Sequence, residues 1–543
     1  VGYRYSKGWA RNQRIYFVAE FAKPFDSFEL KGNKDMYGRA SFSTTAGEEV
    51  MLKVAISPVS IEGAKLAMQT ELPGWDFAAT HEAAVAAWEK ELARVKVEMK
   101  DKQQKEIFYT AMYHAMIAPM LFSDVNGDYR GADDKVYNSE KPRYTCFSLW
   151  DTYRAKQPLM TIIQSEKAGE FVATMVDICD KQGDLPVWHL WGNETDCMVG
   201  DPGIPVVADA IVKGIDGFDR EAAFAAIKKT AATEERGKEF RHKFGYIPCD
   251  LFTEAVAFDM EYAIADGAAA NAAKALGRTD DYKYFTDKSH SYRTYFYKES
   301  GFIRGVDSKG KFRSPFNPYF AAHRENDYCE GNAWQYTWLV PHDISGYSGL
   351  FGGRKACVER LDSLFLAPWI EEGNASPDIS GLIGQFAHGN EPSHHIPYLY
   401  AWTSQPWKTQ YWVREVMNRM YKNHIRGLSG NDDCGQMSAW YLFSAMGFYP
   451  VCPGTDQYVL GAPYLPYIKL SLQNGKTFEI KAPGVSDKNR YVKQIRLNGK
   501  PYTKMYITHK DITEGGVLEF VMSASPNKSR GKAKADKPYS LTK

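Results

Sequence analysis

The chain is short of the features that mark a specialised class. Its eight cysteines form no CxxC pair, which leaves out thiol-redox and zinc-ribbon motifs; several lie in apolar contexts where cysteine behaves as a small hydrophobe. No HExxH spacing supports a zinc peptidase. No apolar run is long enough to span a bilayer, and no repeat of fixed period supports a solenoid. Charge of one sign is also missing: 67 Lys and Arg face 66 Asp and Glu, a net of +1, and without a basic face nucleic acid is excluded as the main ligand. The basic tail PNKSRGKAKADK after Ser525 reads as a solvated end.

What the chain has is length and aromatics. At 543 residues it exceeds a single hydrophobic core, so two or more domains are expected. Segments 15–21, 27–30 and 50–57 alternate as strands do. They read as the last part of a β-sandwich whose earlier strands lie outside this numbering. Helical periodicity follows: 81–95 as a linker helix, 105–121 with Ile107, Phe108, Ala111, Met112, Ala115 and Met116 on one stripe, then 157–180, 204–229, 252–276, 280–297, 354–366, 396–402, 409–424 and 434–447. Strands return after Pro453 as YIKLSL, TFEIKA, YVKQIRL with an NGK turn, and VLEFVMS. The expected division is 1–65 (β), 66–104 (helical linker), 105–454 (helical) and 455–543 (β). Tyr, Trp and Phe supply 14% of residues. Such rings stack on the apolar faces of pyranoses, although most of them must simply fill a large core.

Three segments place polar groups in front of aromatic helices. GNDDCGQMSAWY from Gly430 delivers Asp432 and Asp433 into a turn before a buried helix. Asp433 with Gln436 also fits a capping box, in which the carboxylate only satisfies helix N–H groups. In DYCEGNAWQYTW, Glu330 stands among Tyr328, Trp334, Tyr336 and Trp338; desolvation there would raise its pKa and suit it to general-acid work, while a helix N-terminus would equally favour a Glu. GQFAHGNEPSHH from Gly384 packs Gln385, His388, Asn390, Glu391, Ser393, His394 and His395 into one broken loop. These form either an internal network or a set for a polar ligand or a hard cation such as calcium. His394 and His395 taken singly read as structural.

Together with FSLWDTYR from Phe147 and WGNETDCMVGDPGIPVVADA from Trp191, these motifs resemble, in the same order, glycoside hydrolase family 92, the calcium-dependent, inverting exo-α-mannosidases. The resemblance implies an (α/α)6 helical toroid flanked by β-sandwich elements. It implies Glu330 as general acid, Asp433 as general base and Asp432 as its helper or a pocket residue. Asn390 and Glu391 would contribute to a Ca2+ site; Trp150, Asp151, Asn193, Glu194, His388, His394 and His395 would line the sugar subsite. Family members often carry Asp where this chain has Asn431, so the base is assigned to Asp433 alone. The implied substrate is terminal α-linked mannose on N-glycans or yeast mannan, and the implied location is periplasmic, surface-anchored or secreted. No nucleic-acid or membrane partner is expected, and the chain should act as a monomer or weak oligomer. Phe386 and Ala387 stand where α-1,2-specific members tend to carry a His-Glu pair, which leans the linkage towards α-1,3 or another linkage. Two rivals are another (α/α)6 carbohydrate-active enzyme and an inactive glycan-binding homologue.

Overall fold

The computed structural model describes residues 1–33 and 36–542. The chain divides into two compact units. The first comprises Val1–Glu91, Met120–Thr145 and Leu190–Thr195, and the second takes the rest. Among the described residues no helix is long and apolar enough to cross a membrane.

In the first unit the strands Gly2–Ser6, Gln13–Phe21 and Leu52–Ser57 form an antiparallel sheet in that order. The helix Ile61–Glu71 follows, its first turn capped by Ser60, whose Oγ accepts from the Gly63 N–H at 2.9 Å. Val18 of the central strand packs with Ala64 and Met68 of the helix. The other face carries Phe17, Leu52, Val54 and Ile56, all exposed. A period of two therefore has one covered side in this unit.

The second unit is mostly helical. Its longest helix, Ala255–Ala275, is rich in alanine and buried on almost every side, and the small side chains let the helices Gly203–Lys213 and Thr279–Lys288 approach it closely. Buried ion pairs, Arg241–Asp259 at 2.6 Å and Lys238–Asp201 at 2.8 Å, tie neighbouring segments. A six-stranded sheet runs Lys500–Pro501, Tyr491–Leu497, Gly516–Ser523, Thr477–Lys481, Tyr467–Ser471, Val95–Glu98. The expected NGK turn joins its first pair, with Asn498 and Gly499 both left-handed at φ +51° and +77°, as a type I′ hairpin requires.

Several expected elements differ in extent. The helix expected at 157–180 breaks at Gln164 into Lys156–Ile163 and Ser165–Gln182. The one expected at 204–229 breaks after Lys213, where Gly214 and Gly217 take φ +70° and +103°. The linker helix ends at Leu92, and Val95–Glu98 pairs with Tyr467–Ser471 as an edge strand. The basic tail is not a free end: beyond it the Thr542 N–H and hydroxyl and the Ser540 hydroxyl all donate to the buried Asp343, at 2.8–2.9 Å. Composition described the tail's charge, but its docking depends on a carboxylate two hundred residues earlier.

Candidate active site

The helix Gln436–Met446 is buried along its whole length. The turn before it holds Asp433, Cys434 and Gly435 at φ +45°, +55° and +92°. For the two non-glycine residues this costs on the order of 1–3 kcal/mol each, strain that persists only where the surroundings dictate it. They do so here: a Cβ on Gly435 would lie 2.7 Å from the Ala115 Cα on the helix Lys102–Ile117. The capping box read from Asp433 and Gln436 does not form. Asp432 takes the capping role, its Oδ1 accepting from the Ser438 N–H at 3.0 Å and hydroxyl at 2.8 Å. Gln436 instead crosses to another segment, accepting from the Ala155 and Lys156 N–H groups at 3.0 Å and donating to His394 Nδ1 at 3.0 Å. Asp433 is thereby left without a structural duty at the helix end.

Glu330 also sits at a left-handed position, φ +48°. Two residues on, Asn332 and Gln335 make a capping box for the short helix Ala333–Tyr336. The Tyr336 hydroxyl donates to the Cys329 carbonyl at 2.6 Å, so the aromatic wall fixes the backbone that carries the carboxyl. Asn390 Nδ2 donates to the Glu330 carbonyl at 2.9 Å and to Oε2 at 3.3 Å. Burial lifts the Glu330 pKa to about 7, helped by the charges of Asp378 and Asp433 and opposed by the Asn390 hydrogen bond. Asp433 is lifted to about 6, again mainly by burial. A carboxyl that keeps its proton near neutrality can donate it, and one of lower pKa can accept.

Beside this pair lies a cluster that the motifs did not join. Carboxylate oxygens of Asp151, Glu391 and Asp433 all fall within 4.8 Å of one another. Glu391 is fully buried, and with the cluster ionised neither of its oxygens meets a hydrogen-bond donor. Asp151 accepts from the Ser148 hydroxyl. Burial and mutual repulsion hold Asp151 and Glu391 well above the usual carboxylate range. The nearby cation, Arg154, is already spent on Glu261 at 2.6 Å. Three carboxylates, two of them buried and one half-buried, whose nearest cation is paired elsewhere, one of them with two orphaned oxygens, fit a hard cation held by oxygen ligands.

The other expected residues divide. Trp150 is 1% exposed, and its Nε1 has no partner among the described residues. His388 Nε2 bonds the Tyr421 hydroxyl at 2.8 Å, which itself donates to the Met437 carbonyl; the ring is therefore an Nε2–H donor, and its buried Nδ1 is unpartnered. His394 has both nitrogens occupied, by the His388 carbonyl at 3.0 Å and by Gln436, and keeps none for a sugar. His395 Nε2 donates to the Trp338 carbonyl at 2.6 Å. Burial depresses all three imidazoles, His388 and His395 to about 3. Asn193 belongs to the first unit, where its amide exchanges hydrogen bonds with the residue 12 backbone at 3.0 and 3.2 Å, and Glu194 lies beside it. Sequence reasoning passed over Gln436 as a bond between segments, Arg154 and Asp378. Gln436 in GNDDCGQMSAWY and Arg154 in FSLWDTYR lay in motifs that could have flagged them; Asp378 lay in none.

A model of the glycosyl hydrolase family 92 catalytic domain matches residues 63–524. The chain belongs to glycosyl hydrolase family 92. Among solved structures it is 40% identical to the family 92 α-mannosidase BT3965 of Bacteroides thetaiotaomicron, covering 99% of this chain and 74% of that one with a TM-score of 0.95. With the family 92 inverting mannosidase BT2199 of the same organism it shares 33% identity, over 99% of this chain and 77% of that one, TM-score 0.90. It is 26% identical to an uncharacterized secreted glycosidase of Arthroderma benhamiae, over 95% of this chain and 66% of that protein. The family 92 chain thus spans slightly under two thirds of that curated relative.

Proposed function

We propose that this family 92 chain is an exo-acting, inverting α-mannosidase that depends on calcium and removes terminal α-linked mannose from glycans of the N-glycan or yeast-mannan kind. The observation that carries the reading is the pair of carboxyls Glu330 and Asp433, both raised by burial and each held at a left-handed position, with Asp433 sharing a cluster with the buried Asp151 and Glu391. A non-catalytic glycan binder has no use for a neutral carboxylic acid or for strain at two carboxylates. The α-mannosidase names of the structural relatives support the sugar. The buried helix pairs of the second unit are consistent with an (α/α)6 toroid. The secreted relative supports action outside the cytoplasm.

In this mechanism Glu330 protonates the departing glycosidic oxygen. Asp433 removes a proton from a water on the opposite face, which attacks the anomeric carbon as the ring flattens towards an oxocarbenium-like state; inversion needs carboxyls roughly 6.5–9.5 Å apart to admit that water. Asn390 steadies the acid by bonding its backbone and its carboxyl. Glu391, Asn390 and Asp151, with Asp433 alongside, would hold the calcium. Bound there, it would polarise and orient vicinal ring hydroxyls. Trp150 would bound the terminal sugar, with its free Nε1–H as a donor, and Phe386 with Ala387 favours α-1,3 or another linkage over α-1,2. The test is stereochemical. Hydrolysis of an aryl α-mannoside followed by proton NMR should show β-mannose first, and initial release of α-mannose would refute inversion.

A further inference from the structure

The three carboxylates of the cation site come from three distant segments, and each opens a turn of the same kind. The Asp151 carbonyl accepts from the Arg154 N–H at 3.5 Å, the Glu391 carbonyl from the His394 N–H at 3.0 Å, and the Asp433 carbonyl from the Gln436 N–H at 3.2 Å. One turn beyond each carboxylate, the segments meet at a single side chain. Gln436 begins the helix Gln436–Met446. Its Oε1 accepts from the Ala155 and Lys156 N–H groups, both at 3.0 Å, and its Nε2 donates to His394 Nδ1 at 3.0 Å. One turn further along the same helix, Trp440 Nε1 donates to the His394 carbonyl at 2.8 Å.

The chemistry of the partners fixes which way the amide points. Backbone N–H groups only donate, so Oε1 must face residues 155 and 156 and Nε2 must face the ring. His394 then carries its proton on Nε2, where it donates to the His388 carbonyl at 3.0 Å. Both acceptor positions of the amide oxygen are taken, so Gln436 has no lone pair left for a cation. The side chain is wholly buried, and its loss leaves two N–H groups unpaired. Ionised carboxylates push the three segments apart when no cation is bound; the amide ties all three turns against that push.

We propose that Gln436 is a positioning residue of the calcium site, its amide setting the spacing of the Asp151, Glu391 and Asp433 carboxylates from behind without touching the metal. This rests on the calcium-dependent reading above. A residue behind the ligands acts on affinity by preorganising their oxygens, so that the cation does not have to draw them together.

The experiment is a calorimetric titration of Ca2+ into the EDTA-stripped, dialysed full chain, well below the melting temperature of every variant compared. The Kd belongs to the folded protein, so a residue that only stabilises the fold lowers Tm and leaves Kd where it was. Gln436→Met, of similar length but without hydrogen bonds, should weaken calcium binding by about 10- to 100-fold, the loss usual when a residue behind a metal ligand is removed. Ile480→Ala, in the buried core of the six-stranded sheet, should lower Tm with no change in Kd. Gln436→Asn keeps the amide one methylene short of spanning both segments, and serves if the methionine variant fails to fold. In the unaltered protein, nitrogen-15 NMR of the histidine-labelled chain should show His394 with a bare Nδ1. An unchanged Kd in the folded variant, or a proton on His394 Nδ1, would overturn the proposal alone. Absence of calcium binding by the unaltered protein would overturn the calcium reading and this proposal with it.

Discussion

Replacing Asp433 with asparagine separates its chemical from its structural role, because the structure predicts that activity and metal-free stability move in opposite directions. The side chains are nearly isosteric, and the helix cap is supplied by Asp432, so no cap is lost. With carboxylate oxygens within 4.8 Å, two full charges at an effective dielectric of about 20 repel by about 3.5 kcal/mol. The shift of Asp433 from 3.8 to about 6, caused mainly by burial, corresponds to about 3 kcal/mol against its ionised form. In EDTA at pH 7.5, where Asp433 is ionised, Asp433→Asn should be the more stable protein by up to that amount. For a chain this long that is roughly 3–6 °C in Tm. Hydrolysis should fall by about 10²–10⁴ for loss of a general base, on activated and natural substrates alike, since both need the activated water. Calcium should raise the Tm of the unaltered protein more than that of the variant, narrowing or reversing the gap. Differential scanning calorimetry with and without calcium, beside initial rates, measures all three. An Asp433→Asn protein that kept more than about a tenth of the rate, against the 10²-fold loss expected of a base, or that melted below the unaltered protein in EDTA, would refute the reasoning. Asp432 would then be the next candidate for the base.

Glu330→Gln should cripple hydrolysis of natural mannosides while sparing a dinitrophenyl mannoside, whose leaving group departs without a proton; equal loss on both would remove Glu330 as the acid. Calcium binding should be opposed by protons. The carboxyls that would ligate it are raised in the metal-free fold by burial, so the stabilising contribution of their protonated forms is present below the ordinary carboxylate pKa and is lost as pH rises, for Asp433 through about 6, where the cation replaces it. The calcium-induced gain in Tm should therefore grow from pH 5 to pH 8, and a gain independent of pH would place the metal elsewhere. Undiminished turnover in excess EDTA would dismiss the metal. Gln436→Ala leaves the Ala155 and Lys156 N–H groups buried without an acceptor, at about 1–3 kcal/mol each; thermal denaturation should show a loss of roughly 2–6 kcal/mol, and a loss below 1 would mean that Gln436 does not lock the base turn.

The local grammar of the chain was legible without its fold. Runs of β-branched and aromatic residues marked the strands Gln13–Phe21 and Tyr491–Leu497, the second across a bulge between Val492 and Gln494 that interrupts its alternation; Asn498-Gly499 marked the turn between paired strands, and the apolar stripe of Lys102–Ile117 marked a helix, because each of these patterns depends on neighbours a few residues away. The motifs around Glu330, Glu391 and Asp433 were equally visible, since residues that serve chemistry cluster in short polar runs before rigid helices. Which of two adjacent carboxylates caps the helix was not visible. Asp432 and Asp433 are interchangeable in a sequence pattern, and only the left-handed turn imposed by the helix behind Gly435 turns one towards Ser438 and the other towards Glu391 and Asp151. The carboxylate cluster and the fixing of Gln436 to residues 155 and 156 both join segments more than forty residues apart. Such proximity is set by how helices and loops pack, a quantity that no local pattern encodes, so the sequence determined the parts and the candidate chemistry while tertiary packing alone decided which carboxylates share a charge environment.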